Sequence, residues 1–133
     1  MSKDNIPEVY IRNFKDLIVY QRAMTLSDRI YEIIKLYPDM EKYGSVSQIT
    51  RSSNSISANI AEGNGQTYLA KQYSFLNNAL GSANEVRCHL EFAYRREYIT
   101  KQKFEELDSE TQEIIKMLLG MMKKVRQEIY GNN

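Results

Sequence analysis

The chain has one histidine, His89, four residues after Glu85 and beside the only cysteine, Cys88. These are the residues whose types invite a metal or a reaction. A dinuclear carboxylate site in a helical bundle needs Glu-x-x-His on two helices plus two further glutamates. Here the Glu–His spacing is four instead of three, and no second histidine exists. His89 therefore reads as a hydrogen-bonded structural residue. Cys88 lacks a C-x-x-C partner and a second histidine to activate it, so a catalytic thiol is not expected. Gly63-Asn64-Gly65 suggests a phosphate loop, but the preceding strand and the Gly-Lys-Ser/Thr ending are missing. It reads as a helix C-cap and turn. No catalytic residue, metal or cofactor is expected.

A binding chemistry is more legible. The stretch SSNSISANIAEGNG (residues 52–65) is crowded with serine and asparagine, yet Val46, Ile49, Ser53, Ile56 and Ile60 run along it at helical spacing. Serine and asparagine compete with a helix for its own backbone hydrogen bonds. Packing must therefore hold this helix. About 100° from its apolar seam lies a polar stripe of Gln48, Ser52, Ser55, Asn59 and Glu62. A matching line on the next segment holds Asn78, Ser82, Glu85 and His89, with Gly81 and Ala83 beside it. Two readings fit. Small residues let two helices approach and satisfy each other's polar groups. Alternatively, a buried network around Glu62 and Glu85, with Arg51, Arg87, Ser55, Asn59 and Ser82 as partners, fixes register or binds something.

Basic and apolar residues form two further groups. Arg87, Arg95, Arg96, Lys101 and Lys103 gather near one turn, a candidate phosphate-contacting cluster. Lys116, Lys123, Lys124 and Arg126 follow an acidic half-helix, an ordering that suits the helix dipole. Near the N-terminus, Lys15, Arg22 and Arg29 recur every seven residues, and Val19, Leu26 and Ile33 recur between them. The latter group, with Arg22 and Arg29, reads either as a broad core stripe or as a subunit interface.

Four long segments must position these groups. Pro38 ends the first, Lys15 to Tyr37, whose seam is Leu17, Tyr20, Met24, Tyr31 and Ile34. Residues 46–62 form the second, opened by a Ser45/Gln48 capping box and closed by Gly63. The third, 68–96, starts after Thr67 as N-cap and carries Leu69, Tyr73, Leu76, Leu80, Ala83, Leu90 and Tyr94. The fourth, 101–130, starts after Thr100 and ends before Gly131, with a seam of Phe104, Leu107, Thr111, Ile114, Leu118, Met121 and Val125. No strand pattern occurs, and the links are short. The expectation is an all-α, antiparallel up-down-up-down four-helix bundle over 14–133, preceded by an N-terminal arm over 1–13.

Composition agrees. The chain has 133 residues, 42% hydrophobic and 26% charged, with net charge +1. That balance argues neither for nor against nucleic acid. No apolar run approaches the roughly 20 residues of a membrane span. No signal peptide is visible, and one cysteine suits a reducing compartment. The expected location is the cytoplasm, with no membrane partner.

Three segments carry a family resemblance: FKDLIVYQRA, QITRSSNSISANIAEGNG and YSFLNNALGSANEVRCHLEFAYRREYI. Over Phe14 to Ile99 the chain resembles the bacterial four-helix-bundle family encoded in intervening sequences of large-subunit rRNA genes, also labelled a ribosomal-protein family. The accessory variability protein of diversity-generating retroelements is related to it. Ser55 to Gly63, Gly81-Ser82 and Glu85 are the most specific residues. The resemblance implies a ring-shaped homopentamer without catalysis. It also implies a role with nucleic acid and, for the retroelement members, binding to RNA and a reverse transcriptase through basic surface. Gln66 stands where relatives often carry Arg, and Glu97 where many carry Gly. The near-neutral charge departs from the strongly basic retroelement members. The sequence thus points to a non-enzymatic oligomeric protein with RNA, or an RNA-handling partner such as a reverse transcriptase, as target. A purely structural interaction module and a small-ligand or metal-handling bundle are the alternatives.

Overall fold

The computed structural model describes residues 11–131. Among them there are four long helices and no strands: α1 (Ile18–Ile33), α2 (Ser45–Asn64), α3 (Leu69–Arg95) and α4 (Lys101–Tyr130). Single turns of 3-10 helix occupy Phe14–Asp16, Ile34–Leu36 and Asp39–Glu41. α2 packs on α3, α3 on α4, and α1 on both α2 and α4, so the four helices enclose one core. Residues 1–10 of the expected arm lie outside the described residues.

Each helix supplies one buried stripe. Ile49, Ile56 and Ile60 come from α2, Leu76, Ala83, Val86 and Leu90 from α3, and Leu107, Ile114 and Leu118 from α4. Burying each large aliphatic side chain contributes roughly 1.5–3 kcal/mol. α4 follows its sequence-based bounds. Thr100 Oγ1 accepts from Lys103 N at 3.1 Å, and Gly131 (φ 78°) lies past its end. Thr111, buried in the core, donates to the Leu107 carbonyl at 2.7 Å.

α1 is rotated from its expected seam. Val19, Ala23, Leu26, Ile30 and Ile33 are buried, whereas Met24 and Tyr31 are 41% and 61% exposed. Two apolar heptad lines compete on this helix. The one that includes Ala23 and Ile30 lets α1 lie closer to its neighbours. Val19, Leu26 and Ile33 are therefore core residues, and the interface reading of these three is corrected. Arg22 and Arg29 remain on the surface.

The ends of α2 and α3 also differ from expectation. Gly44 precedes α2 without a side-chain cap, because Ser45 Oγ turns back to donate to Glu41 Oε2 at 3.1 Å. Gly63 lies inside the helix, which ends at Asn64 with Gly65 as its C-cap. Its role is close packing: a Cβ there would lie 3.1 Å from Phe75 Cβ on α3. Tyr68, with no side-chain cap, replaces Thr67 at the start of α3.

Candidate functional site: a polar groove between the second and third helices

Three of the six serines of α2 bond to their own helix. Ser52, Ser53 and Ser57 donate to the carbonyls of Ile49, Thr50 and Asn54 at 3.1–3.2 Å, three residues back. This back-bonding lets a hydroxyl face a packed surface without a partner on another helix. Only one part of the stripe crosses to α3. Ser82 Oγ donates to Ser55 Oγ at 2.9 Å, and Asn59 Nδ2 donates to Ser55 Oγ at 3.0 Å and to Ser55 O at 2.8 Å.

That trio forms one wall of an open groove of about 540 Å³, completed by Asn77, Asn78, Gly81 and Glu85. Ser55, Asn59 and Ser82 are half-buried, and Asn78, Gly81 and Glu85 are exposed. The expected buried network around Glu62 and Glu85 does not form. Both carboxylates are exposed, as is Arg51, and among the described residues neither carboxylate has a cation within 4.0 Å. Solvation is the physical reason, because an outward carboxylate keeps its water and avoids the desolvation cost. Asn77 lies off the stripes drawn from spacing; its place one turn before Gly81 is the signal that could have found it. His89 lies further along the same α3 line. Its Nε2 is buried without a hydrogen-bond partner among the described residues, and its ring lies 6.1 Å from that of Phe92.

A model of the 23S rRNA-intervening sequence protein family matches residues 15–120, from the start of the helical region well into α4. This chain belongs to that family. A crystal structure from Bacteroides thetaiotaomicron, described as a protein of unknown function from the S23 ribosomal protein family, is 33% identical. Its TM-score is 0.74, and the match covers 80% of this chain and 99% of that one. No curated protein matches significantly.

The basic cluster of this family member is largely neutralised in place. Arg87 grips Asp108 on α4 with two bonds, Nε to Oδ1 at 2.8 Å and a terminal nitrogen to Oδ2 at 3.3 Å. That hydrogen bond pushes the guanidinium pKa further up. Arg95 pairs with Glu91 at 3.7 Å, Lys101 with Glu105 at 3.9 Å and Lys103 with Glu106 at 3.4 Å. Glu106 is held below the usual carboxylate range, first by a Gln102 hydrogen bond and then by Lys103. Arg96 alone of the five has no such pair among the described residues, and it lies 4.9 Å over the Phe92 ring. The i,i+3 and i,i+4 spacings of these glutamates carried the signal for the pairing.

A second polar cluster closes the same end of the bundle and leaves no mark in the sequence pattern. Tyr98 OH donates to Glu41 Oε2 at 2.8 Å, tying the α3–α4 turn to the α1–α2 connection. This bond holds the Glu41 pKa below, and the Tyr98 pKa above, their ordinary values. Tyr37 packs against Tyr98 with ring centroids 5.0 Å apart. Its hydroxyl is buried without a partner among the described residues, and burial, followed by Glu41, pushes its pKa up to about 12. Glu97 takes φ 62°, completing a Schellman closure in which Tyr98 N donates to Ala93 O at 2.9 Å and Glu97 N to Tyr94 O at 3.0 Å. That is the position where the resemblance puts glycine in many relatives.

Among the described residues no group of three or more His, Cys, Asp and Glu side chains could hold a metal ion. No helix there is long and apolar enough to cross a membrane.

Proposed function

We propose that this chain is a non-enzymatic, self-assembling bundle whose α2–α3 groove is a protein-docking surface. In this reading consecutive helices run up-down-up-down, because the last two links are four and five residues long and the eleven residues between α1 and α2 are taken up partly by two 3-10 turns. The assembly is a closed homo-oligomer, five copies being the number the family resemblance implies. A lone exposed Cys88 suits the reducing conditions of the cytoplasm.

One observation carries the reading. Ser55, Asn59, Ser82 and Glu85 of the family pattern line an open surface groove, while Ile56, Ile60 and Gly63 of the same pattern are buried. Ser55, Asn59 and Ser82 spend part of their bonding on one another, whereas the exposed Glu85 carboxylate has no cation among the described residues and is available to another surface. The test is the mass of the purified chain by light scattering. A whole-number multiple, two or more, of the 15.6 kDa chain mass is expected. A particle of single-chain mass at micromolar concentration would overturn the reading.

A second reading, capture of RNA or of a reverse transcriptase bearing RNA, is favoured by Arg96 stacked on the 42%-exposed Phe92. A cation over an exposed ring is a platform on which a base can stack. Phosphate capture by the neighbouring residues is less favoured, since Arg87, Arg95, Lys101 and Lys103 would each have to release a carboxylate. Binding of rRNA fragments that weakens steeply with salt would support this reading. Binding that is absent or indifferent to salt would end it.

A further inference from the structure

We infer that the α2–α3 groove receives α1 of a second copy of this chain, with Arg22 of one copy seated against Glu85 of the next. This rests on the self-assembly reading above and adds which two surfaces meet. Three observations lead to it.

The first is complementary charge left over on two separate patches. Of the two surface arginines of α1, Arg29 is committed to Glu110 on α4. Arg22 is exposed and, among the described residues, has no carboxylate within 4.0 Å. It borders a cleft of about 320 Å³ between α1 and α4, beside Ile18, which is 63% exposed. Glu85 is the carboxylate of the groove and is likewise without a cation.

The second is the chemistry of the groove. A guanidinium presents up to five donors in a fixed fork and no acceptor. Glu85, Asn78 and Asn59 among the lining residues carry side-chain oxygen acceptors, and the Glu85 carboxylate suits bidentate binding of an arginine.

The third is Gly81. It sits in the middle of α3, exposed, and a Cβ added there would meet nothing within 4 Å. A glycine at such a place costs a helix about 1 kcal/mol relative to alanine, with no gain inside the monomer. The cost is explained if another backbone must come close at this point. The patches on α1 and on α2–α3 are different surfaces, so the contact is heterologous. Repeated from copy to copy, a heterologous contact gives a ring when its rotation closes and a filament when it does not.

The test is charge reversal, read by light scattering, with far-UV circular dichroism as the folding control. Both residues are exposed, so Arg22→Glu and Glu85→Arg are expected to keep wild-type helicity. Each is expected to reduce the particle to the mass of a single chain, and the double reversal in one chain to restore the wild-type mass. Arg22→Gln and Glu85→Gln, which cannot repel, are expected to raise the dissociation concentration about tenfold or more. Wild-type protein that is itself monomeric would overturn self-assembly and this pairing together. An assembled wild type whose single reversals keep their mass would overturn the pairing alone and assign the groove to another partner. Loss of mass in both singles without recovery in the double would also refute the Arg22–Glu85 contact.

Discussion

Two glycines of the family pattern look alike in sequence and differ in surroundings, and alanine at each separates fold from function. At Gly81 a methyl group meets nothing within 4 Å. Gly81→Ala should therefore gain the helix-propensity difference of about 1 kcal/mol. At Gly63 the same methyl lies 3.1 Å from Phe75 Cβ and 3.5 Å from Gln72 O. Carbon atoms attract best at roughly 3.5–4.0 Å, so the contact is repulsive. Phe75 Cβ is fixed to the α3 backbone, so relief requires the two helices to separate. Overpacking of this kind costs about 1–3 kcal/mol, which offsets or exceeds the propensity gain. Gly63→Ala is expected at or below wild type and at least about 1 kcal/mol below Gly81→Ala. Gly63→Val, adding bulk at the same contact, should fall clearly below wild type. Unfolding entropy near 2.1 cal/mol/K per residue gives roughly 0.28 kcal/mol/K for this chain length. The gap between the alanine variants is then about 4 °C in Tm. Thermal and urea unfolding measure it at one protein concentration, low enough for both variants to be single chains. Equal gains in both alanine variants would refute the close approach of α2 and α3 at Gly63.

Other outcomes follow from the same geometry. Glu97→Gly should stabilise by about 0.5–1 kcal/mol, since a left-handed residue with a Cβ costs about 1–2 kcal/mol and glycine returns part of that as unfolded-state entropy; Glu97→Ala should not, and calorimetry compares them. Tyr37 is protonated in both states below pH 10. Between pH 10 and about 12 only the unfolded chain ionises this group, so folding stability falls as pH rises through that window. At about 1.36 kcal/mol per pH unit the loss is about 2–3 kcal/mol. Tyr37→Phe, which also removes an unpartnered buried hydroxyl, should raise stability at neutral pH and flatten that part of the alkaline decline in urea titrations. Leu26→Asp, at a site 1% exposed, should unfold the chain rather than merely dissociate it, with loss of helical ellipticity as the readout.

The fold was legible wherever one signal stood alone. α4 has a single apolar line and a threonine cap, and its bounds match the expectation. α1 carries two competing apolar lines of heptad period. Periodicity cannot choose between them, and the smaller side chain at Ala23 and the fit of Ile30 decide the rotation. The groove was half legible. Spacing puts Ser55, Asn59, Ser82 and Glu85 on facing stripes. It gives no measure of depth, so it cannot show that Glu62 and Glu85 both reach solvent. Nor does it show that Ser52, Ser53 and Ser57 bond to their own helix instead of to α3. The latch of Tyr98 on Glu41 joins residues 57 positions apart and leaves no periodic trace.

Docking of another copy on the open face around Gly81 is tested most directly by bulk alone. Gly81→Trp supplies that bulk at an exposed position where an added Cβ meets nothing within 4 Å. Sedimentation equilibrium of this variant, with wild-type helicity as control, should give the mass of one chain where the wild type gives a multiple of it. An assembled variant of wild-type mass would contradict the account.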